Sequence, residues 1–83
     1  MTTITQNKGQ PHQSEDPRLH VRIEEDLRAR IADGRLGPGQ AAPSIPELRR
    51  AYGCCRQTAA RPLQRLVEEG LLIRYPGLGY YVR

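Results

Sequence analysis

Ser44-Ile45-Pro46-Glu47-Leu48-Arg49-Arg50-Ala51-Tyr52-Gly53-Cys54-Cys55-Arg56-Gln57-Thr58-Ala59-Ala60-Arg61-Pro62-Leu63-Gln64-Arg65-Leu66-Val67-Glu68-Glu69-Gly70 is the stretch that decides the fold. Ser44 with Glu47 three residues on forms a capping box, and Pro46 lies in the first turn, where proline is tolerated. Leu48 and Tyr52 then face inward at i, i+4, and Gly53 stops the helix. A second helix begins at Arg56 after a turn holding Cys54 and Cys55. Leu63, Leu66 and Val67 lie on its inner side, and it ends at Glu69 and Gly70. Two helices joined by a short glycine-containing turn are the signature of a helix-turn-helix, with the later helix presented for reading.

Working outward, the hydrophobic period changes from 3.6 to 2 after Gly70. Leu71–Tyr75 is strand-like, Pro76-Gly77-Leu78-Gly79 is a turn, and Tyr80–Arg83 is a second strand. A β-hairpin directly after the reading helix is a wing. Upstream, Leu19, Ile23, Leu27 and Ile31 recur at helical spacing, with Asp16-Pro17 as the expected cap and first helical position and Gly34 as the stop. This predicts a first helix of about 16 to 18 residues. Leu36–Pro43 is a turn-rich connector. Residues 1–15 have almost nothing to bury and are expected to be a disordered tail. The expected fold over residues 16–83 is therefore mainly α with a small β-wing: a winged helix-turn-helix of three helices followed by a two-stranded hairpin.

Composition narrows the function. In 83 residues there is room for one domain with a small core. Thirteen Lys and Arg stand against nine Asp and Glu, giving a net charge of +4, and twelve of the thirteen are Arg. The planar fork of Arg suits phosphates and guanine edges. No carboxylate pair, nucleophile with a base, or phosphate loop is present, so no enzyme is expected. Cys54 and Cys55 are adjacent, a geometry that disulfides seldom accept. With no Cys framework, no signal-peptide core and no apolar run long enough to span a bilayer, the expectation is a soluble cytoplasmic protein. His12, His20 and the cysteines lack zinc spacing, so neither metal nor cofactor is expected.

Several stretches together resemble the DNA-binding domain of the GntR family of bacterial transcription regulators. They are Ile31–Gly39, Pro43-Ser44, Arg56–Ala59, Leu63–Leu72, and Gly77-Leu78-Gly79 before Val82. The series covers roughly residues 17 to 83 in the family's order and spacing. The resemblance implies a winged helix-turn-helix, operator DNA as ligand, and no cofactor in this domain. The departures are specific. Arginines usual in the family are replaced here by Pro46, Ala60 and Leu78. The residues that open the reading helix are Cys54-Cys55, Ala42 stands where leucine is usual, and Pro62 stands where alanine is usual. Family members continue into a larger C-terminal domain that binds an effector and dimerises. With Met1 at its start and Arg83 just after the wing, the chain is expected to be a naturally minimal regulator with no small-molecule effector.

Arg56, Gln57, Thr58 and Arg61 are the expected groove contacts, since they occupy the first turns of the reading helix; the alternative is an ordinary solvated face. Arg favours guanine and Gln adenine. Arg49 and Arg50 are expected at phosphates, and Ser44 as an N-cap that also suits a phosphate. In the wing, Arg74, Tyr75, Gly77 and Gly79 are expected at DNA, with Tyr80 a further candidate and at least one of Tyr80 and Tyr81 packed on the first helix. A reactive thiolate beside Arg56 is weighed against a buried Cys54 and a Cys55 serving as a weak cap, and the pattern favours the latter. Pro62 should either kink the reading helix or split it, because it removes one hydrogen bond and crowds the Thr58 carbonyl.

Three function classes follow. They are a sequence-specific regulator binding double-stranded DNA, an architectural DNA-binding protein such as a recombination-directionality factor, and a degenerate winged helix acting as a protein-interaction module. With three arginines missing, a second copy or another protein is the expected partner for tight DNA binding.

Overall fold

Helix α1 spans Leu19–Ala32, α2 Ile45–Tyr52 and α3 Arg56–Glu68, followed by strands β1, Leu72–Tyr75, and β2, Gly79–Val82. This computed structural model describes residues 16–83, so the expected tail, with Lys8 and His12, lies outside the described residues. The order of three helices and a hairpin is that of a winged helix-turn-helix.

Helix α1 is shorter than its periodicity suggested, at 14 residues, and its N-cap is Arg18 rather than Asp16. Asp16 and Pro17 instead form a lead-in turn. Asp16 Oδ1 accepts the Arg18 N–H at 2.8 Å, and the Asp16 carbonyl accepts the Leu19 N–H at 2.9 Å. The aspartate thus caps a turn that precedes the helix, a difference that spacing alone does not reveal. Of the predicted stripe, Ile23 and Leu27 are fully buried, while Leu19 and Ile31 are half-buried at the edges.

Helix α2 forms as its capping box dictates. Glu47 N–H donates to Ser44 Oγ at 3.2 Å, and Glu47 Oε1 accepts the Ser44 N–H at 2.8 Å. These bonds hold the Glu47 carboxyl below its usual range, chiefly through the Ser44 backbone N–H. The helix ends at Gly53, whose φ of 64° lies in the left-handed region.

Pro62 neither splits α3 nor ends it: the helix is continuous from Arg56 to Glu68 with the proline inside. The ring is fully buried in the core with Ala59, Leu63 and Leu66, so packing offsets the local penalty. Ile23, Leu27, Ala42, Leu48, Cys54, Leu72 and Val82 complete that core. At the far end of α3, Arg28 donates to Glu24 at 2.6 Å and to Glu69 at 2.7 Å, tying α1 to the end of the reading helix. The Glu69 bond is the main reason the Arg28 pKa rises.

The hairpin is antiparallel, with Leu72 opposite Val82 and Tyr75 opposite Gly79; β1 starts one residue later than expected and ends where expected, and β2 lies one residue earlier. The connector before α2 holds more structure than its turn residues suggest. Gly39 and Ala42 donate to the carbonyls of Val82 and Tyr80 at 2.9 and 2.8 Å, and Ala41 bridges Tyr81. Residues 39–42 therefore lie along β2 as a third edge, which fixes the wing relative to the start of α2.

Candidate nucleic-acid interface

The buried residues of α3, at 59, 62, 63 and 66, occupy one side of the helix. At 100° per residue the opposite side carries Gln57, Arg61, Gln64 and Glu68. All four are exposed, as is Arg56 at the helix start. None of the five is needed to fill the core.

Two surface grooves flank this ridge on its wing side. One is lined by Ser44, Pro46, Arg49, Arg56, Gly79 and Tyr80. The other is lined by Gln57, Thr58, Ala60, Arg61, Gln64 and Tyr80. Tyr80 is common to both. It sits on the core-side face of the hairpin with Val82 and opposite Arg74, following strand alternation. The small Ala60 side chain leaves the space between α3 and the wing open. On its other side the ridge borders α1, where His20, Val21 and Glu24 share a groove with Arg61, Gln64 and Arg65.

The sequence-predicted residues fall into three groups. Ser44, Arg49, Arg56 and Gly79 meet in the first groove, and Gln57, Thr58 and Arg61 in the second. Arg50 is exposed on the neighbouring surface with Arg49, Pro46 and Gly53. Tyr75 does not join them: it lies on the opposite face of the hairpin from Tyr80, edge-on to Tyr81 with ring centroids 5.5 Å apart. Gly77 forms part of the wing tip, beside Leu78. Within the site, Arg49 Nε approaches the Cys54 carbonyl at 3.4 Å, and Thr58 Oγ1 lies 3.3 Å from Cys55 Sγ. Cys54 is buried, its thiol 3.8 Å from the Leu48 carbonyl.

Tyr80 lines the groove beside α3 and packs against the core, and Tyr52 is hydrogen-bonded to the first helix, its hydroxyl donating to Asp26 at 2.8 Å. Burial, then this bond, raises the Tyr52 pKa. Gln64 was missed by the sequence reading. Its i+7 spacing from Gln57 was the available signal. Among the described residues no three His, Cys, Asp or Glu side chains converge as a metal site requires.

The profile of the bacterial regulatory proteins of the gntR family matches residues 19–82. The chain belongs to the gntR family. Among curated relatives it is 38% identical over 64 residues to the HTH-type transcriptional repressor NagR of Bacillus subtilis (strain 168), covering 77% of this chain and 26% of NagR. It is 37% identical over 65 residues to the mannosyl-D-glycerate transport/metabolism system repressor MngR of Escherichia coli (strain K12), covering 78% of this chain and 27% of MngR. This gntR-family chain therefore spans about a quarter of the length of these relatives. Among solved structures it superimposes on the DNA-binding domain of AraR in complex with operator ORR3, with a TM-score of 0.75 at 29% identity over 78% of each chain. YtrA from Sulfolobus acidocaldarius, a GntR-family transcription factor, gives a TM-score of 0.72 at 27% identity, covering 89% of this chain and 78% of YtrA.

Proposed function

We propose that this chain is a sequence-specific transcription regulator that binds double-stranded DNA through α3 and the wing. The observation that carries the reading is the exposed ridge of α3, with Gln57 and Arg61 in its N-terminal half, Arg56 exposed beside it at the helix start, and grooves to either side. Arg56 and Arg61 suit guanine O6 and N7, and Gln57 suits adenine N6 and N7, each through paired hydrogen bonds in the major groove. Ser44 at the start of α2, with Arg49 and Arg50, holds the phosphate backbone and sets the angle of α3. Arg74 contacts the backbone from the wing, and Gly77 and Gly79 let the wing chain approach DNA closely. The DNA-bound relative supports this reading. It is also the reason no second function class is preferred.

With five arginines at phosphates or bases on one copy, binding is modest, and the salt slope of log K is about −4 to −5. A second copy or a partner protein brings affinity into the specific range of about 10⁻⁸ to 10⁻¹¹ M. Titration of duplexes selected from random sequence, repeated over a salt series with the mass of the complex measured, tests both. Nanomolar binding by a monomer with a slope much steeper than about −5 overturns the modest-affinity reading. No salt-sensitive binding to any duplex overturns the function.

A further inference from the structure

The tip of the wing, Pro76-Gly77-Leu78-Gly79, has no polar side chain, yet its last residue lines a groove that holds Arg49 and Arg56. Gly79 lines the same groove as Ser44, Arg49 and Arg56, and Leu78 is the residue before it in the chain. Leu78 is 72% exposed, far more than Tyr75 at 45% or Val21 at 39%. It is also held in place. Its N–H donates to the Tyr75 carbonyl at 2.9 Å, closing the turn. Pro76 fixes one backbone angle, and Gly77 and Gly79 on either side have φ of 81° and 119°, values that residues with a side chain rarely adopt. A leucine on a stiff turn beside a cationic groove is poised to be covered by whatever occupies the groove.

We propose that Leu78 is an apolar wedge that enters the minor groove of duplex DNA beside the major-groove segment read by α3. The inference rests on the DNA-binding reading above. A side chain without donors or acceptors cannot discriminate base edges by hydrogen bonding. It presses on the groove floor and sugar walls and partly opens a base step, as Leu, Ile, Met and Phe wedges do. Its contribution therefore depends on how easily that step deforms, and pyrimidine–purine steps such as TA and CA yield most readily. Leu78 thus sets a flanking preference separate from the bases read by Arg56 and Gln57. The arginines of the neighbouring groove supply the attraction that brings the tip to DNA.

Leu78→Ala and Leu78→Arg, compared with the parent on duplexes selected from random sequence, test the proposal. Both variants should melt with the parent, because Leu78 is no part of the core. Leu78→Ala should bind about tenfold more weakly with an unchanged salt slope. It should lose the flanking preference for TA or CA steps and keep the central bases. Energy transfer between dyes at the duplex ends should show a smaller bend than with the parent. Leu78→Arg should steepen the salt slope by about 0.9 and not restore the flanking preference. A Leu78→Ala protein with the parent's affinity, flanking preference and bend overturns the wedge while leaving DNA binding intact. Relaxation of the central bases in place of the flank overturns it too, because Leu78 would then act through α3. A parent that binds no duplex overturns the function itself, and the wedge with it.

Discussion

Helices α2 and α3 are neighbours in the same motif, yet they are held in place in opposite ways. The shorter, α2, has eight residues and buries only Leu48, but both of its ends are fixed locally by the Ser44–Glu47 box and Gly53. The longer, α3, makes no side-chain cap hydrogen bond at Cys55 and carries a proline in its interior, yet it buries Ala59, Pro62, Leu63 and Leu66. Local preference specifies the supporting helix; tertiary packing specifies the reading helix. Because α3 is held from beneath, its outer face has no structural duty, and Arg56, Gln57 and Arg61 are available to a ligand.

The comparison breaks most visibly in the core. Leu63→Ala should cost about 2–5 kcal/mol, a large share of the stability of so small a domain. Urea denaturation should show the midpoint collapse. A loss below about 1 kcal/mol would mean that α3 is not held by packing.

The helix starts offer a sharper contrast. Ser44→Ala should destabilise by about 1 kcal/mol by removing the acceptor for the Glu47 N–H. Cys55→Ser should do the opposite at the head of α3, adding about 0.5–1 kcal/mol, because a hydroxyl oxygen accepts a cap bond better than sulfur. Thermal melts of the two variants should move in opposite directions. Acid titration adds a check. The Glu47 carboxyl is held below its usual range, so its contribution is full above the pKa of the unfolded chain and fades as pH falls through the folded value. Glu47→Gln should flatten that acid-side loss, whereas Ser44→Ala, which keeps the Ser44 backbone N–H, should reduce it only in part.

Pro62→Ala should give the smallest change. The substitution restores an N–H worth up to about 3 kcal/mol in a helix interior, but it removes two buried ring carbons at about 0.8 kcal/mol each and leaves a small cavity. The net shift should be about 1 kcal/mol or less. A gain near 3 kcal/mol would mean that the proline contributes nothing to packing; a loss above about 2 kcal/mol would mean that packing is its whole role.

Local rules made much of this fold legible from the residues. The capping box, the stops at Gly34, Gly53 and Gly70, the Leu and Ile stripe of α1 and the change of period after Gly70 all act within a few positions of chain. What escaped was non-local. The pairing of residues 39–42 with β2 has no period-two pattern, since Gly39, Gln40 and Ala41 join through backbone bonds. The uninterrupted course of α3 through Pro62 depends on a core contributed by all three helices and the hairpin. The start of α1 was misplaced because an aspartate before a proline caps a lead-in turn as readily as a helix. At the interface, Arg56, Gln57 and Arg61 were legible as the first turns of a reading helix. The grooving of Tyr80 between α3 and the wing, and the place of Gln64 on the same ridge, required the packed structure.

The central claim is that the exposed first turns of α3, Arg56 among them, read base pairs. Arg56 is exposed, so Arg56→Ala leaves the core untouched and should melt with the parent. The decisive measurement is the affinity of parent and Arg56→Ala for a selected duplex and its complete set of single-base-pair variants. Discrimination should fall by about 1–3 kcal/mol at one base pair and persist at the others. An Arg56→Ala protein that binds more weakly but keeps the parent's preference at every position would contradict the claim, placing Arg56 at a phosphate and the reading elsewhere.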